Sequence, residues 1–275
     1  MTLSQQLKNK NIIIAPGVFD GLSARLVEQA GFAAIYASGG AISRSCGFPD
    51  IGLVSFSEVL QRLQHIVEVT KTPVIADADT GFGNEVNVKR TIKEYIRIGI
   101  AACHIEDQVF PKRCGHLEGK ALIPCDEMVT KIRAAKDAVG DHDFVLIART
   151  DAIAVEGFDA AIARANAYAA AGADVIFVEA PTTVAQIEQI AKEVKAPKLI
   201  NMFHGGKTPI VPVERLKELG YQIVIIPSDL QRAAIKAMQN TLHAIKKDGD
   251  SHSVDAQMAT FDERETIIDT TSYLT

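Results

Sequence analysis

The sequence lacks the patterns that mark several large classes of protein. Its four cysteines, which are Cys46, Cys103, Cys114 and Cys125, form no C-x-x-C pair. Its apolar runs are interrupted within about ten residues, well short of the roughly twenty that a membrane-spanning helix needs. The first residues, Met1–Lys10, are polar and contain no apolar segment of the kind found in signal peptides. We therefore expect a reduced, cytoplasmic protein.

A long basic segment is also absent. The formal net charge is −5 and there is no long block of lysine and arginine, which argues against nucleic acid or an anionic membrane as a partner. A local cationic pocket for a small anion remains compatible with this charge. The 275 residues are 47% hydrophobic, enough to bury one large core. We predict a single domain over residues 1–275 with a C-terminal helical extension.

Short β-branched or apolar runs recur along the chain, and segments with helical periodicity separate most of them. Each run has the length of a buried parallel strand. Glycines at four helix-to-strand turns, Gly31, Gly99, Gly172 and Gly220, fit left-handed helix C-caps. The pattern predicts eight βα units. The runs are Asn11–Ala15, Ala33–Ala37, Val74–Ala78, Ala101–Ile105, Phe144–Ala148, Val175–Val178, Lys198–Ile200 and Gln222–Ile226.

Two α/β architectures compete for these units. A doubly wound open sheet would need a glycine-rich dinucleotide or phosphate loop after the first strand, and Pro16–Gly21 fits neither pattern. We therefore predict a (β/α)8 TIM barrel, in which active sites sit at the C-terminal ends of the strands. Six consecutive strand ends carry polar groups. They are Tyr36–Gly40, Asp77–Asp79, His104–Asp107, Arg149–Asp151, Glu179 and Asn201.

Carboxylates at two neighbouring strand ends point to a hard metal ion. Asp77 and Asp79 fall on the same side of an extended strand end, and Glu106 follows the next strand. Oxygen donors without cysteine or paired histidine indicate Mg²⁺, with Mn²⁺ as the alternative. For any one acid a helix cap or an ion pair is the commoner role, but three clustered acids favour a metal site. Arg149 would lie beside this site and suits a dicarboxylate or tricarboxylate substrate.

The segment after the fourth predicted strand holds a cysteine among basic residues. Cys114 follows Lys112 and Arg113 and precedes His116, and neighbouring positive charge lowers a thiol pKa from about 8.5. Cys114 is therefore a candidate acid or base near neutral pH. The alternative is a solvated basic loop that contains a cysteine by chance.

Flexibility is the second property of this segment. Its glycines, Gly115 and Gly119, and its flanking prolines predict a loop that opens and closes. Tyr36, at the end of the second strand, is a second catalytic candidate that would assist deprotonation of a hydroxyl group. Its alternative role is that of an ordinary half-buried aromatic residue.

Six motifs, taken in order, give the chain a resemblance to a known superfamily. They span most of the sequence, and the chain resembles the isocitrate lyase/phosphoenolpyruvate mutase superfamily. The K-R-C-G-H loop is similar to that of the lyase branch, and most of all to the 2-methylisocitrate lyases. The motifs are Tyr36–Gly40, Phe48–Gly52, Asp77–Gly83, His104–Gln108, Lys112–His116 and Ala148–Ala152.

The resemblance implies an architecture and a set of site residues. The last helix of the barrel would be exchanged between subunits, and a homotetramer would be built from such dimers. Asp79 would bind Mg²⁺ directly, while Asp50, Asp77 and Glu106 would hold its waters. For Arg232 a solvated position on a helix is the alternative to a substrate contact. The substrate-binding residues implied are Ser38, Gly39, Gly40, Gly115, His116, Arg149, Glu179, Asn201 and Arg232, with Cys114, Tyr36, Arg149 and His116 counted as catalytic.

The activity implied is a Mg²⁺-dependent carbon–carbon lyase that cleaves a 2-hydroxy dicarboxylate or tricarboxylate. The first candidate reaction converts 2-methylisocitrate to pyruvate and succinate, with Cys114 protonating the enolate. Phe203 and His204 stand where methylisocitrate lyases usually carry threonine and glutamate, and Gly205–Pro209 looks more like the dimethylmalate lyase and carboxyphosphonoenolpyruvate mutase branches. The alternatives are a 2,3-dimethylmalate lyase, a phosphonomutase-type enzyme, an oxaloacetate-cleaving enzyme, or a barrel that binds metabolites without turnover.

The expected partners are the small carboxylate substrate and further copies of the chain. The segment Asp229–Lys247 carries apolar residues at helical spacing that suit an interface between subunits. The alternative is that this helix packs on its own barrel.

Overall fold

Eight parallel strands close into a barrel in this computed structural model, which describes residues 1–9 and 11–274. The strands follow one another in sequence order, and β1 pairs with β8, with Ile13 opposite Ile223. The predicted (β/α)8 barrel is thus confirmed. The strands are β1 (Ile13–Val18), β2 (Ile35–Ala37), β3 (Val74–Asp77), β4 (Ala102–Glu106), β5 (Val145–Thr150), β6 (Val175–Val178), β7 (Lys198–Asn201) and β8 (Ile223–Ile226).

Each predicted run overlaps a strand, but several strands extend further at their C-terminal ends. β4 includes Glu106 and β5 continues through Arg149 to Thr150. Glu106 and Arg149 face each other in the β4–β5 register, so they belong to the hydrogen-bonded ring of the barrel. Functional groups at these positions are therefore held by rigid strands, and the loop begins after them.

Helices cover the outside of the barrel and continue after its last strand. Short 3₁₀ turns also occur at Ala152–Ala154 and His252–Gln257. The α-helices are α1 (Leu3–Lys8), α2 (Gly21–Gln29), α3 (Gly39–Ser45), α4 (Phe56–Glu68), α5 (Glu85–Arg97), α6 (Cys125–Val139), α7 (Phe158–Ala170), α8 (Val184–Glu193), α9 (Val213–Glu218), α10 (Asp229–Asp248), α11 (Phe261–Ile267) and α12 (Thr270–Leu274).

The apolar core has two layers. One layer fills the barrel, where Leu3 of α1 packs with Ile13 and Ile75 and closes the N-terminal end. The other layer lies between the strands and the surrounding helices and includes the fully buried Tyr95 and Tyr168. Because α1 closes one end of the barrel with apolar side chains, the opposite end is the one available for a polar site.

The predicted glycine turns are present. Gly31, Gly99, Gly172 and Gly220 all have a positive φ, between 79° and 110°, which glycine adopts without a steric penalty. Each follows a helix and leads into the next strand, as the sequence pattern predicted.

No helix within residues 1–9 and 11–274 is long and apolar enough to cross a membrane. The single domain over residues 1–275, of which Lys10 and Thr275 lie outside the described residues, stays a prediction. So does the cytoplasmic location.

Candidate active site

A cavity of about 70 Å³ lies at the C-terminal ends of the strands, under the loop that follows β4. Four of the predicted residues, Gly39, Asp79, Glu106 and Arg232, do not line it. Gly39 packs against the carboxylate of Asp77 so closely that a Cβ atom would lie 2.6 Å from Asp77 Oδ2. The predicted residues that line the cavity are Tyr36, Ser38, Gly40, Asp50, Asp77, Cys114, Gly115, His116, Arg149, Glu179 and Asn201.

The expected geometry of the two aspartates after β3 is wrong in one respect. The strand ends at Asp77, and Asp79 has a left-handed φ of 45°, so Asp79 does not continue an extended strand beside Asp77. The backbone N–H of Asp79 donates to Asp77 Oδ1 at 2.9 Å and forms the turn that redirects the chain. This conformation is uncommon for a residue other than glycine.

A lysine from the loop lies among the carboxylates. Lys112 Nζ is 2.5 Å from Asp50 Oδ1 and 2.8 Å from Asp79 Oδ1, and the lysine side chain is only 5% exposed. Despite the opposing effect of burial, the pKa of Lys112 is raised well above its usual value by these aspartates. The loop is therefore tied to the acidic cluster by a buried, charged ammonium group.

The carboxylates of this cluster have unequal pKa values. Burial raises the pKa of Asp79 to about 6 against the effect of Lys112. Asp77 is also buried, yet Lys112 and the N–H of Asp79 help to lower its pKa to about 2. His104 would assist only when charged, and burial lowers its pKa to about 4. Burial likewise raises the pKa of Glu106 well above its usual range.

These acids fit a divalent cation held largely through water. Asp79 Oδ1 lies 2.8 Å from Lys112 Nζ and Glu106 Oε2 lies 3.2 Å from Arg149 Nε. Four largely buried carboxylates share these two cations, so a further positive charge would stabilise the cluster. No three histidine, cysteine, aspartate or glutamate side chains in residues 1–9 and 11–274 converge closely enough to hold an ion by themselves. Mg²⁺ commonly keeps several waters, which agrees with this wider spacing. Direct binding by Asp79 stays a prediction.

Arg149 is fixed by a carboxylate at its own strand end and by one on the neighbouring strand β4. Its Nε and Nη2 atoms donate to Asp151 at 2.8 and 3.0 Å, and Nε lies 3.2 Å from Glu106 Oε2. Its guanidinium carbon also sits 5.2 Å from the centre of the Phe177 ring. Arg149 lines the cavity in a fixed orientation, which suits recognition of a substrate carboxylate.

The predicted fall in the pKa of Cys114 is wrong. Burial raises the pKa of its thiol, and the nearby Asp50 acts in the same direction. The basic neighbours in sequence point elsewhere, because Lys112 reaches Asp50 and Asp79 while Arg113 donates to the carbonyl of Glu118 at 3.0 Å. Cys114 therefore remains a thiol near neutral pH and can donate a proton.

His116 joins the loop to the far wall of the cavity. Its Nδ1 accepts a hydrogen bond from the backbone N–H of Lys207 at 3.2 Å, which places the ring proton on Nε2 in the neutral form. Nε2 is 3.6 Å from Glu179 Oε1, and burial lowers the pKa of the ring. His116 is thus a neutral group that bridges two parts of the site.

Tyr36 lies inside the barrel next to the acidic cluster. Its hydroxyl group is 2.8 Å from His104 Nε2 and 3.5 Å from Asp77 Oδ2. Burial and the charge of Asp77 raise the pKa of Tyr36 well above its usual value. The hydroxyl group is therefore protonated at neutral pH and is suited to donating a hydrogen bond; its role in deprotonation stays a prediction.

Comparisons with known proteins agree with this geometry. Residues 3–246 match the family model described as phosphoenolpyruvate phosphomutase. The chain belongs to that family. A 2-methylisocitrate lyase from Aeropyrum pernix is 47% identical over 249 residues, which cover 90% of this chain and 80% of that protein.

Solved structures of the family superimpose on almost the whole chain. A crystal structure of 2,3-dimethylmalate lyase, a PEP mutase/isocitrate lyase superfamily member, has a TM-score of 0.94 and 40% identity and covers 99% of this chain and 92% of its own. A phosphonopyruvate hydrolase in complex with oxalate and Mg²⁺ has a TM-score of 0.90 and 33% identity, with coverages of 99% and 97%. The resemblance inferred from the motifs is thus confirmed.

Arg232 is separated from the cavity by an aromatic ring. The ring of Phe203 packs against Arg232 and His116. Its centre lies 5.3 Å from the Arg232 guanidinium carbon and 5.1 Å from the centre of the His116 ring. Arg232 Nη1 donates to the carbonyl of His204 at 2.7 Å. Phe203 lines the cavity and Arg232 does not. The substrate contact of Arg232 stays a prediction.

Sequence reasoning missed three cationic residues of this family member's site. Lys112 was considered only as a neighbour of Cys114. It lies in the loop that follows the strand carrying Glu106, and this position could have suggested an ion pair with the clustered acids. Arg44, in the last turn of α3, is exposed and lines the cavity. Lys120 pairs with Asp151, and no local pattern pointed to that contact.

Proposed function

We propose that this protein is a Mg²⁺-dependent carbon–carbon lyase that cleaves a 2-hydroxy dicarboxylate or tricarboxylate. The first candidate reaction converts 2-methylisocitrate to pyruvate and succinate. The observation that carries the proposal is the position of the Cys114 thiol, which a loop holds in one cavity with Asp50, Asp77 and Arg149. The 47% identity to a 2-methylisocitrate lyase over 90% of the chain supports the same activity.

Cleavage of this type sets three chemical requirements. The hydroxyl proton must leave, the enolate that forms on the departing fragment must be stabilised, and a proton must be delivered to its carbon. Asp50, Asp77, Asp79 and Glu106 would hold Mg²⁺, which supplies charge that favours the hydroxyl oxygen in its anionic form. Arg149 would orient the carboxylate of the keto-acid portion.

Cys114 would deliver the proton. Its raised pKa keeps the thiol protonated at neutral pH, so the donor is ready when the enolate forms. The backbone N–H of Cys114 donates to the carbonyl of Asp50 at 3.2 Å, which keeps the thiol near the acidic cluster. The loop around it would exclude water and so limit protonation of the enolate by solvent.

A 2,3-dimethylmalate lyase is the second candidate. The ring of Phe203 occupies the wall between the cavity and Arg232, and an aromatic wall favours an apolar substituent over a third carboxylate. The 40% identical structure of a 2,3-dimethylmalate lyase, with a TM-score of 0.94, supports this alternative. Phosphonomutase-type and oxaloacetate-cleaving activities remain alternatives within the same family.

One assay separates these activities. The protein with Mg²⁺ would be given methylisocitrate, isocitrate, dimethylmalate, oxaloacetate and phosphonopyruvate. Release of a keto acid would be followed by coupling to lactate dehydrogenase, and ¹H and ³¹P NMR would detect products that are not keto acids, such as acetate and phosphoenolpyruvate. A lyase gives turnover with at least one of the first three acids. Turnover confined to phosphonopyruvate or oxaloacetate, or binding without turnover, would contradict the proposal.

The protein is further proposed to act as a homo-oligomer, with a tetramer expected. α10 exposes a row of apolar side chains that includes Ile235, Met238 and Leu242, although it packs on β1 near its start. An apolar groove of about 480 Å³ between α2 and α10 is lined by Leu22, Leu26 and other apolar residues. Exposed apolar surface of this kind marks protein interfaces.

The oligomer is tested by light scattering at micromolar concentration. The wild-type chain is expected to have the mass of a tetramer, and Leu242→Asp, which places a charge on the exposed face of α10, is expected to reduce that mass. A monomeric wild-type protein would contradict this part of the proposal.

A further inference from the structure

A second lysine of the loop is buried and joins the loop to the rigid end of β5. The side chain of Lys120 is 2% exposed, although the residues just before it, Leu117, Glu118 and Gly119, are exposed. Its ammonium group lies 3.2 Å from Asp151 Oδ1 and donates to the carbonyl of Gly115. A lysine ammonium group is rarely buried unless it is paired, so this arrangement requires both partners.

The carboxylate that receives Lys120 is rigidly held. Asp151 accepts two hydrogen bonds from Arg149, and its backbone N–H donates to Asp107 Oδ1 at 3.0 Å. Thr150 and Tyr168 also donate to Asp107, each at 2.7 Å. Lys120 is therefore attached to a network built into the barrel, and it shares Asp151 Oδ1 with Arg149.

The carbonyl that Lys120 binds belongs to the part of the loop closest to the cavity. A Cβ atom on Gly115 would lie 2.3 Å from Glu179 Oε1 and 2.6 Å from Arg149 Nη2, so the backbone there is pressed against both side chains. Cys114 and His116 flank this glycine. Fixing the Gly115 carbonyl therefore fixes the position of the thiol and the imidazole over the cavity.

We propose that Lys120 is a positioning residue that holds the loop closed over the cavity by bridging Gly115 and Asp151. It does not line the cavity, so its effect passes through Cys114 and His116. Its catalytic effect rests on the proposed function, but its effect on loop order does not. Loss of the bridge would increase opening of the loop and leave the barrel unchanged.

Amide hydrogen exchange tests the bridge without a substrate. The amides of Cys114 and Leu117, which donate to the carbonyls of Asp50 and Cys114, report on the loop. The amide of Ile123, which donates to Asp107, reports on its base. In Lys120→Met, which keeps the length of the side chain but removes the charge, we expect faster exchange at the two loop amides and unchanged exchange at Ile123 and in the strands.

Activity supplies the second readout. Lys120→Met is expected to lower kcat/KM by about tenfold to a hundredfold, because a small displacement of a catalytic group is costly. Lys120→Arg, which restores a positive donor, is expected to recover part of both the protection and the activity. Glu118→Gln is the matched control on the same loop, since it removes the charge of an exposed carboxylate that pairs with Lys207. Both readouts should stay within about twofold of wild type.

Two outcomes would overturn the proposal. One is normal protection of the loop amides in Lys120→Met, whatever the activity. The other is faster exchange throughout the barrel together with a lower Tm, which would mean that Lys120 stabilises the whole fold. If Lys120→Met does not fold, the same two criteria are applied to Lys120→Gln. Absence of turnover with every acid in the wild-type protein would contradict the proposed function alone, because hydrogen exchange still decides the bridge.

Discussion

Two neighbouring acids, Glu106 and Asp107, belong to clusters of opposite character. Asp107 accepts hydrogen bonds from Thr150, Tyr168 and the backbone of Asp151, and it pairs with Arg164. We call this the saturated cluster, made of Asp107, Asp151, Arg149, Arg164 and Tyr168. The other, which we call the open cluster, is made of Asp50, Asp77, Asp79, Glu106 and Lys112.

The open cluster is short of positive charge. It gathers four carboxylates around one lysine, with Asp79 Oδ1 2.8 Å from Lys112 Nζ and Glu106 Oε2 3.2 Å from Arg149 Nε, and burial raises the pKa of Asp79 and Glu106. Buried carboxylates are normally paired, so an excess of them favours a site for a positively charged ligand. The saturated cluster stabilises the strand ends and orients Arg149 in the cavity wall, whereas the open cluster is the part that a metal ion can use.

The largest expected effect comes from changing the open cluster. Asp79→Asn should lower turnover by about 10³-fold, because it removes a charge that the proposed Mg²⁺ site needs. Asparagine tolerates the left-handed φ of 45°. The substitution breaks the pair with Lys112, but this lysine keeps Asp50 as a partner and the cluster loses one of four crowded negative charges, so the Tm should change little. Activity would be measured with the best acid of the panel, and Mg²⁺ binding by calorimetry.

Chelation provides the matched test of this prediction. Excess EDTA should abolish turnover, and added Mg²⁺ or Mn²⁺ should restore it. Full activity in Asp79→Asn, or turnover that persists in EDTA, would contradict the proposed requirement for Mg²⁺.

The next effect is on stability and comes from the saturated cluster. Asp107→Asn should lower the free energy of unfolding by about 3 kcal/mol, because it breaks a buried charge pair and disturbs several hydrogen bonds. Arg164 keeps a second partner in Glu156, which limits the loss. The Tm would be compared with that of Asp79→Asn. If both substitutions changed the Tm equally, the distinction between the clusters would fail.

The sequence predicted the barrel and the carboxylates Asp77, Asp79 and Glu106 because both follow from local patterns, whereas Asp50 was implied only by the resemblance to the superfamily. Buried runs, glycine caps and polar strand ends can each be recognised within a few residues. Side-chain direction in a long loop cannot, so Lys112 was assigned to Cys114 instead of the open cluster. The same limit applies to Arg232, since only the folded chain shows that Phe203, which lines the cavity, packs against it.

A smaller effect is expected from the thiol above the open cluster. Cys114→Ser should lower kcat by about 10²-fold with little change in KM, because serine keeps the size of the side chain but is a much weaker acid. Retention of near-normal turnover would reduce Cys114 to a packing residue and favour another reaction of the family.

The raised pKa of Cys114 predicts how the rate of alkylation of its thiol depends on pH. The thiol is protonated below this pKa, so alkylation by iodoacetamide should be slow at pH 7 and should accelerate as the pH rises through it. Substrate should protect the thiol by favouring the closed loop. Mass spectrometry would measure modification of Cys114. Fast modification at pH 7 would contradict the raised pKa and support the lowered pKa that the sequence alone predicted.

The smallest expected effect comes from an exposed cation in the wall of the cavity. Arg44 is exposed, lines the cavity, and lies over Gly40, with Nη1 3.1 Å from the place where a Cβ atom would be. Arg44→Met should raise KM by roughly threefold to tenfold and leave kcat nearly unchanged, because an exposed cation attracts a dicarboxylate without taking part in the reaction. Added salt should reduce the difference between the two proteins, since it screens an exposed charge. Arg133→Met, which removes an exposed cation from α6, is the control and should leave KM unchanged. A fall in kcat with constant KM would instead place Arg44 among the groups that act on the bound substrate.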